Sequence, residues 1–192
     1  SQLRLVPGRI QRVTSGQPYE VWVDFAHTDA GLSGAIAAVR PLIKGRLTVV
    51  FGAGGDRDPG KRPLMGRAAA AADIAIVTSD NPRSENPAQI ARQVVSGWPR
   101  PIPPEVILDR EAAIRHAIYA AGSGDGVLIA GKGHEDYQII GAEKRPFRDA
   151  DVARAAINSH PHRELSWPRA PHGIKTRTDG NVTGIYESES SA

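Results

Sequence analysis

The chain has no cysteine, which excludes disulfides and thiolate metal sites and fits a reducing compartment. No apolar run approaches the roughly 20 residues that span a bilayer, so no membrane segment is expected. Residues 1–16 carry Arg4, Arg9 and Arg12 without an apolar block, so no signal peptide is visible. Charge of one sign is also missing: 24 Lys and Arg stand against 21 Asp and Glu, for a net charge of +3. No basic run stands out, so nucleic acid is not an expected partner. The chain starts at Ser1 and its single methionine is Met65, which reads as a fragment, a processed form or an incomplete record.

What is present is an alternation. The 192 residues can bury one good core with a small appendage. Apolar, β-branched runs occur at residues 21–25, 47–51, 74–78, 106–108 and 127–130. Between them lie stripes with helical spacing: Leu32, Ala35, Ile36 and Val39; Ile90, Val94 and Trp98; Ile114, Ala117, Ile118 and Ala121. An Ala-rich block at 67–72 has high helix propensity. The expected fold is α/β: a Rossmann-like, mostly parallel sheet with helices on both faces. Residues 137–140 and 144–147 should form a hairpin at the sheet edge, and 149–157 a closing helix with Asp149 near its cap. The expected domain runs from 5 to 159. Residues 160–192, rich in Pro, Gly, Ser and Thr and without periodicity, read as a flexible C-terminal tail. Its His160, His162 and His172 lack a regular ligand spacing, so no metal is assigned.

Three polar, Gly-rich segments follow apolar runs, and ligands of open α/β sheets sit outside the carboxyl ends of the strands. Gly52-Ala53-Gly54-Gly55-Asp56-Arg57-Asp58-Pro59-Gly60-Lys61-Arg62 comes close to a P-loop, but Arg62 stands where Ser or Thr should hold Mg²⁺. It also starts a dinucleotide fingerprint, yet Arg57 occupies the third glycine position. What remains is either a backbone with cations suited to carboxylate or phosphate, or a solvated basic turn. Asp80-Asn81-Pro82-Arg83 is ordinary turn chemistry, or a site whose guanidinium fork grips a carboxylate. Gly131-Lys132-Gly133-His134-Glu135 offers Glu135 as an acceptor for an ammonium group. Asp24 ends the first strand, where an acid commonly takes ribose hydroxyls.

Together with Pro7-Gly8-Arg9, Asp24-Phe25-Ala26-His27-Thr28 and Gly60-Lys61-Arg62-Pro63-Leu64-Met65-Gly66, these motifs occur in an order that resembles the C-terminal domain of the Mur ligases, over about residues 5–157. Its nearest branch adds meso-diaminopimelate to UDP-N-acetylmuramoyl-L-alanyl-D-glutamate in peptidoglycan assembly. The resemblance implies a cytoplasmic, ATP- and Mg²⁺-dependent ligase of three domains. Phosphorylation of a carboxylate would make it an electrophile for the incoming amine. It further implies that Arg57, Asp80, Asn81, Pro82, Arg83, Gly131 and Glu135 form the diaminopimelate pocket, and that Arg9, Asp24 and His27 touch the nucleotide. Lysine lacks the distal carboxylate and would leave Arg83 unpaired, which favours diaminopimelate.

The chain departs from the family pattern Asp-Tyr-Ala-His-Thr-Pro at Phe25 and Asp29, losing a hydroxyl and a proline and adding a negative charge near the nucleotide edge. These residues also contain no P-loop, so the chain alone is not expected to turn over ATP; the upstream Mur ligase domains are its implied partners. The alternatives are a ligase for another amino acid, including relatives of folylpolyglutamate synthetase, and a non-catalytic amino-acid-binding or interaction module.

Overall fold

The branched and apolar runs form strands because their side chains fit a pleated surface buried on both sides. The computed structural model describes residues 10–159; Arg9 and the segment 160–192 expected to be a tail lie outside them. Strands β1 (Gln11–Arg12), β2 (Glu20–Asp24), β3 (Leu47–Phe51), β4 (Ile74–Val77), β5 (Glu105–Val106) and β6 (Gly126–Ala130) make one six-stranded sheet in the order β1-β2-β6-β3-β4-β5. All neighbours are parallel except the β1–β2 pair at one edge.

Alternate strand residues serve two cores. Trp22, Val49, Phe51, Val77 and Leu128 face α1 (Asp29–Val39), α2 (Lys61–Ala69) and α3 (Pro87–Val95). Val21, Val23, Val50, Ile76 and Ile129 face α4 (Arg110–Tyr119) and α5 (Asp149–Ser159). The connection through α4 runs back from the β5 edge to insert β6 between β2 and β3. With right-handed crossovers, that reversal puts α4 on the opposite face from α1–α3. The mostly parallel sheet with helices on both faces is the architecture the alternation implies.

Register brings the strand ends level. Asp24 pairs with Ala130, Val50 with Ile129, and Phe51 with Val77. The loops after β2, β3, β4 and β6 therefore emerge side by side along one rim. Side-chain caps fix the helices that leave it: Thr28 accepts from Gly31 N on α1, and Asn86 accepts from Ala88 N and Gln89 N on α3.

Two expectations need correction. The hairpin β7 (Tyr137–Ile140) and β8 (Glu143–Pro146) is a separate two-stranded sheet, not an edge of the main one. It follows β6, a central strand with both neighbours taken, so its polar backbone pairs instead with the turn after β4 through an Arg83–Ile140 bridge. Trp98 lies beyond α3, which ends at Val95; the indole still packs on the core, and its Nε1 donates to Ile102 O. Asp149 stands at the start of the closing helix as expected, but is fully buried, its carboxylate receiving Arg110 Nε and Nη2 at 2.8 Å each.

Candidate amino-acid site at the sheet rim

The turn after β4 is held from three sides. Gly52 approaches it so closely that a Cβ there would sit 2.3 Å from Thr78 O, and one on Gly55 would meet Pro82 O at 1.9 Å. Gly55 N donates to Asn81 O, and Arg83 N to Ile139 O, while Gly141 N donates to Arg83 O. Arg83 itself has φ of +50°, and Asp56 across from it +52°; such backbone is costly for non-glycine residues and persists where surrounding contacts impose it. Asp56 supplies those contacts, its carboxylate receiving Ser84 N and Ser84 Oγ.

A cavity of about 420 Å³ opens between these loops. Arg57, Asp80, Asn81, Arg83, Gly131 and Glu135 all line it, as does His27, which was assigned to the nucleotide. Pro82 does not line it; the ring is buried, and its carbonyl covers Gly55 and accepts from Glu85 N. Asp24 lines a neighbouring hollow of about 460 Å³ with His27, Thr28 and the first turn of α1. Both Asp24 oxygens accept backbone N–H groups at 2.7 Å, from Ile10 and from Ala26.

Charge is distributed unevenly around the central cavity. The half-buried Arg83 donates Nη1 to Gly55 O at 2.6 Å, and among the described residues no carboxylate forms an ion pair with it. Its remaining donors are available to a planar anion. Asp80 is buried, and its Oδ2 has no hydrogen-bond partner, an arrangement that costs free energy until a donor arrives. The cavity is thus lined by an arginine without an acid partner and by an aspartate with one buried, unbonded oxygen.

Glu135 is held in a triangle with Asn81 and Lys132. Its Oε2 accepts from Lys132 Nζ at 2.9 Å and Asn81 Nδ2 at 3.1 Å. Burial pushes its carboxyl up, but Lys132, Asn81 and the more distant Arg83 outweigh this and hold it below the usual carboxylate range. Arg62, read as a loop cation for ligand, is buried instead. It binds Glu85, Gln93 Oε1 and Gly54 O, which braces the loop after β3 against α3. Hydrogen bonds from Arg62 and the Asp56 backbone hold the Glu85 carboxyl down at about 2.

Sequence reasoning assigned no role to Glu85 or Arg110, placed Lys132 only as a member of its loop motif, and read Asp149 only as a residue near a helix cap. Arg110 lies behind the site: Nη1 donates to Ser79 O at 3.3 Å and Nη2 to Ala130 O at 3.0 Å, joining the ends of β4 and β6.

The family model described as "Mur ligase, glutamate ligase domain" matches residues 8–133. The chain belongs to this family. It is 56% identical over 155 residues to the UDP-N-acetylmuramoyl-L-alanyl-D-glutamate–2,6-diaminopimelate ligase of Synechocystis sp., covering 79% of this chain and 31% of that protein. The equivalent ligase of Geobacillus kaustophilus is 54% identical over 154 residues, covering 79% and 32%. A solved structure of a ligase of the same name superposes with a TM-score of 0.75 at 41% identity, over 82% of this chain and 32% of that one. This chain therefore spans about a third of the length of the relatives it matches. A folylpolyglutamate synthase/dihydrofolate synthase from Yersinia pestis, at 22% identity and a TM-score of 0.52, covers 69% of this chain and 30% of that one and shares the fold alone.

Proposed function

We propose that the rim cavity binds meso-diaminopimelate, and that the chain is the C-terminal, amino-acid-binding part of a ligase adding it to UDP-N-acetylmuramoyl-L-alanyl-D-glutamate. The observation that carries this reading is the pairing of opposites: Arg83, without an acid partner, and Asp80, whose buried Oδ2 has no donor, both line one cavity. A diamino diacid supplies a carboxylate for the first and an ammonium for the second. The names of the similar ligases point the same way.

In this reading Arg83 holds the distal carboxylate by a two-bond fork. Asp80 and the Glu135 Oε1 receive ammonium groups, Asn81 contributes its free N–H, and Arg57 stands at the mouth as a second anion partner. Gly131, with φ of +121° and Asp80 Oδ2 only 2.7 Å from where a Cβ would stand, keeps the approach open. Fixing the amine in this way is the domain's contribution to amide formation, because a held nucleophile reacts as if at high effective concentration.

ATP, when bound, supplies the activation of the acceptor carboxylate. The hollow beside Asp24 and His27 fits an edge contact to it, since it adjoins the N-terminus of α1, where unpaired N–H groups favour anions. Among the described residues no three acidic or histidine side chains cluster to hold a metal ion; the Mg²⁺ contacts would belong to the preceding Mur ligase domains. Residues 5–159 form the domain in this proposal, and the setting is cytoplasmic. Among the described residues no helix is long and apolar enough to cross a membrane.

Titrating meso-diaminopimelate into the ¹⁵N-labelled chain tests the site. Shifts concentrated at Arg57, Asp80–Arg83 and Gly131–Glu135 are expected. Shifts confined to other surfaces would refute the assignment.

A further inference from the structure

We propose that Lys132 is a positioning residue for the amino-acid site, fixing the orientation of both Asn81 and Glu135 from behind the cavity. The proposal rests on reading that cavity as the diaminopimelate site. Lys132 is fully buried and does not line the cavity, so it is outside the reach of a bound amino acid. Its Nζ lies 3.1 Å from Asn81 Oδ1 and 2.9 Å from Glu135 Oε2, and 5.6 Å from the centre of the Tyr137 ring. A buried ammonium is stable only when so surrounded.

The amide of Asn81 is oriented by this contact. Oδ1 accepts from both Lys132 Nζ and Ile139 N. Turning the amide over would aim Nδ2 at two donors, so the carbonyl is locked inward and Nδ2 faces Glu135. Glu135 is oriented by the same contact. Lys132 and Asn81 both occupy Oε2, while Oε1 takes no hydrogen bond from the described residues and stays available at the cavity. One buried cation therefore gives the site a fixed donor from Asn81 and a fixed acceptor from Glu135.

Removing the cation has a consequence that mere loss of packing lacks. The charged and titratable groups around Glu135 are Lys132 on its own loop, Arg83 and Asp80 on the turn after β4, Arg110 at the start of α4, and His27, Arg57, Asp58, Lys61 and Arg62 around the cavity. Burial raises the Glu135 carboxyl and Lys132 heads the effects that lower it. Without the lysine, the carboxyl titrates higher, and the acceptor is neutralised at a higher pH than in the wild type.

The test compares the wild-type 192-residue chain with Lys132→Met, Glu135→Gln and the double variant. Carbon-detected NMR follows the Glu135 carboxyl against pH without ligand, and calorimetry follows meso-diaminopimelate affinity. Lys132→Met should raise the Glu135 midpoint and weaken binding about tenfold, with the acid limb of binding moved upward. The double variant should lose clearly less than the product of the two single losses, because the lysine acts in part through that carboxylate and in part through Asn81. An unmoved midpoint, or losses that multiply in the double variant, would overturn the proposal. Should Lys132→Met fail to fold, the double variant decides: folding with an affinity within about tenfold of Glu135→Gln supports the role, and failure to fold, or a larger loss, overturns it. If the midpoint moves but the wild-type chain binds no meso-diaminopimelate, the site assignment fails while the lysine's hold on Glu135 stands.

Discussion

Arg83 donates through Nη1 to the carbonyl oxygen of Gly55 at 2.6 Å, so the guanidinium proposed to carry specificity is anchored by the loop after β3, not by an acid. The anchor uses one of five N–H donors and neutralises no charge. Arg83→Ala should weaken meso-diaminopimelate binding about tenfold or more, given that a hydrogen bond to a charged group contributes about 1.5–3 kcal/mol. Lysine binding, weak from the start, should change little. Calorimetry with both amino acids checks this.

The anchor depends on the absence of a side chain. A methyl group on Gly55 would lie 1.9 Å from Pro82 O, which is backbone and cannot move aside cheaply. Gly55→Ala should lower stability by about 1–3 kcal/mol and weaken binding together with it. Chemical denaturation, paired with calorimetry, measures both.

Arg110 and Asp149 form a fully buried pair. Removing one partner strands a charge, which costs about 3–5 kcal/mol. Asp149→Asn or Arg110→Met should each lose about that much in urea denaturation, whereas Arg110→Met with Asp149→Leu should recover most of it. Additive losses in the double variant would contradict the pairing.

Glu85 ties Arg62 and the Asp56 backbone to the start of α3, with its carboxyl held at about 2 against an ordinary value of 4.5. A depressed carboxyl stabilises the fold above the unfolded value and stops doing so as pH falls through the folded one. The loop after β3 should therefore be fully braced above about pH 4.5 and loosen between there and pH 2. Amide hydrogen exchange at Gly54–Arg57 should accelerate in that window, and Glu85→Gln should remove the pH dependence.

The strands and the rim loops that follow them were legible, though not their order in the sheet, because buried parallel strands read as continuous apolar runs and the motifs follow them directly. The hairpin was legible as a hairpin but not in its location. Its docking depends on Gln138 Nε2 bonding Asp80 O and on Ile139 N bonding Asn81 Oδ1, pairings between segments distant in the chain. The buried ions were missed although a local signal existed. Arg62, Met65, Gly66 and Ala69 share one buried helical stripe, and Arg110, Ala113, Ile114, Ala117 and Ile118 another. A charged residue that opens an apolar stripe is carried into the interior by helix geometry and must find a partner there. Asp149 heads the stripe of α5 in the same way.

No G-x-x-x-x-G-K followed by Ser or Thr occurs in the chain. The purified 192-residue protein should accordingly release no phosphate from ATP, with or without meso-diaminopimelate. A coupled phosphate assay tests this; substrate-dependent release would contradict the division of labour proposed for the domains.

Calorimetric comparison of meso-diaminopimelate with L-lysine on the unmodified chain bears most directly on the central claim. The two differ by the one carboxylate that Arg83 is proposed to hold. Binding of meso-diaminopimelate at least about tenfold tighter than lysine, a gap of about 1.4 kcal/mol or more, is the expected result. Equal affinities, or tighter binding of lysine, would contradict it.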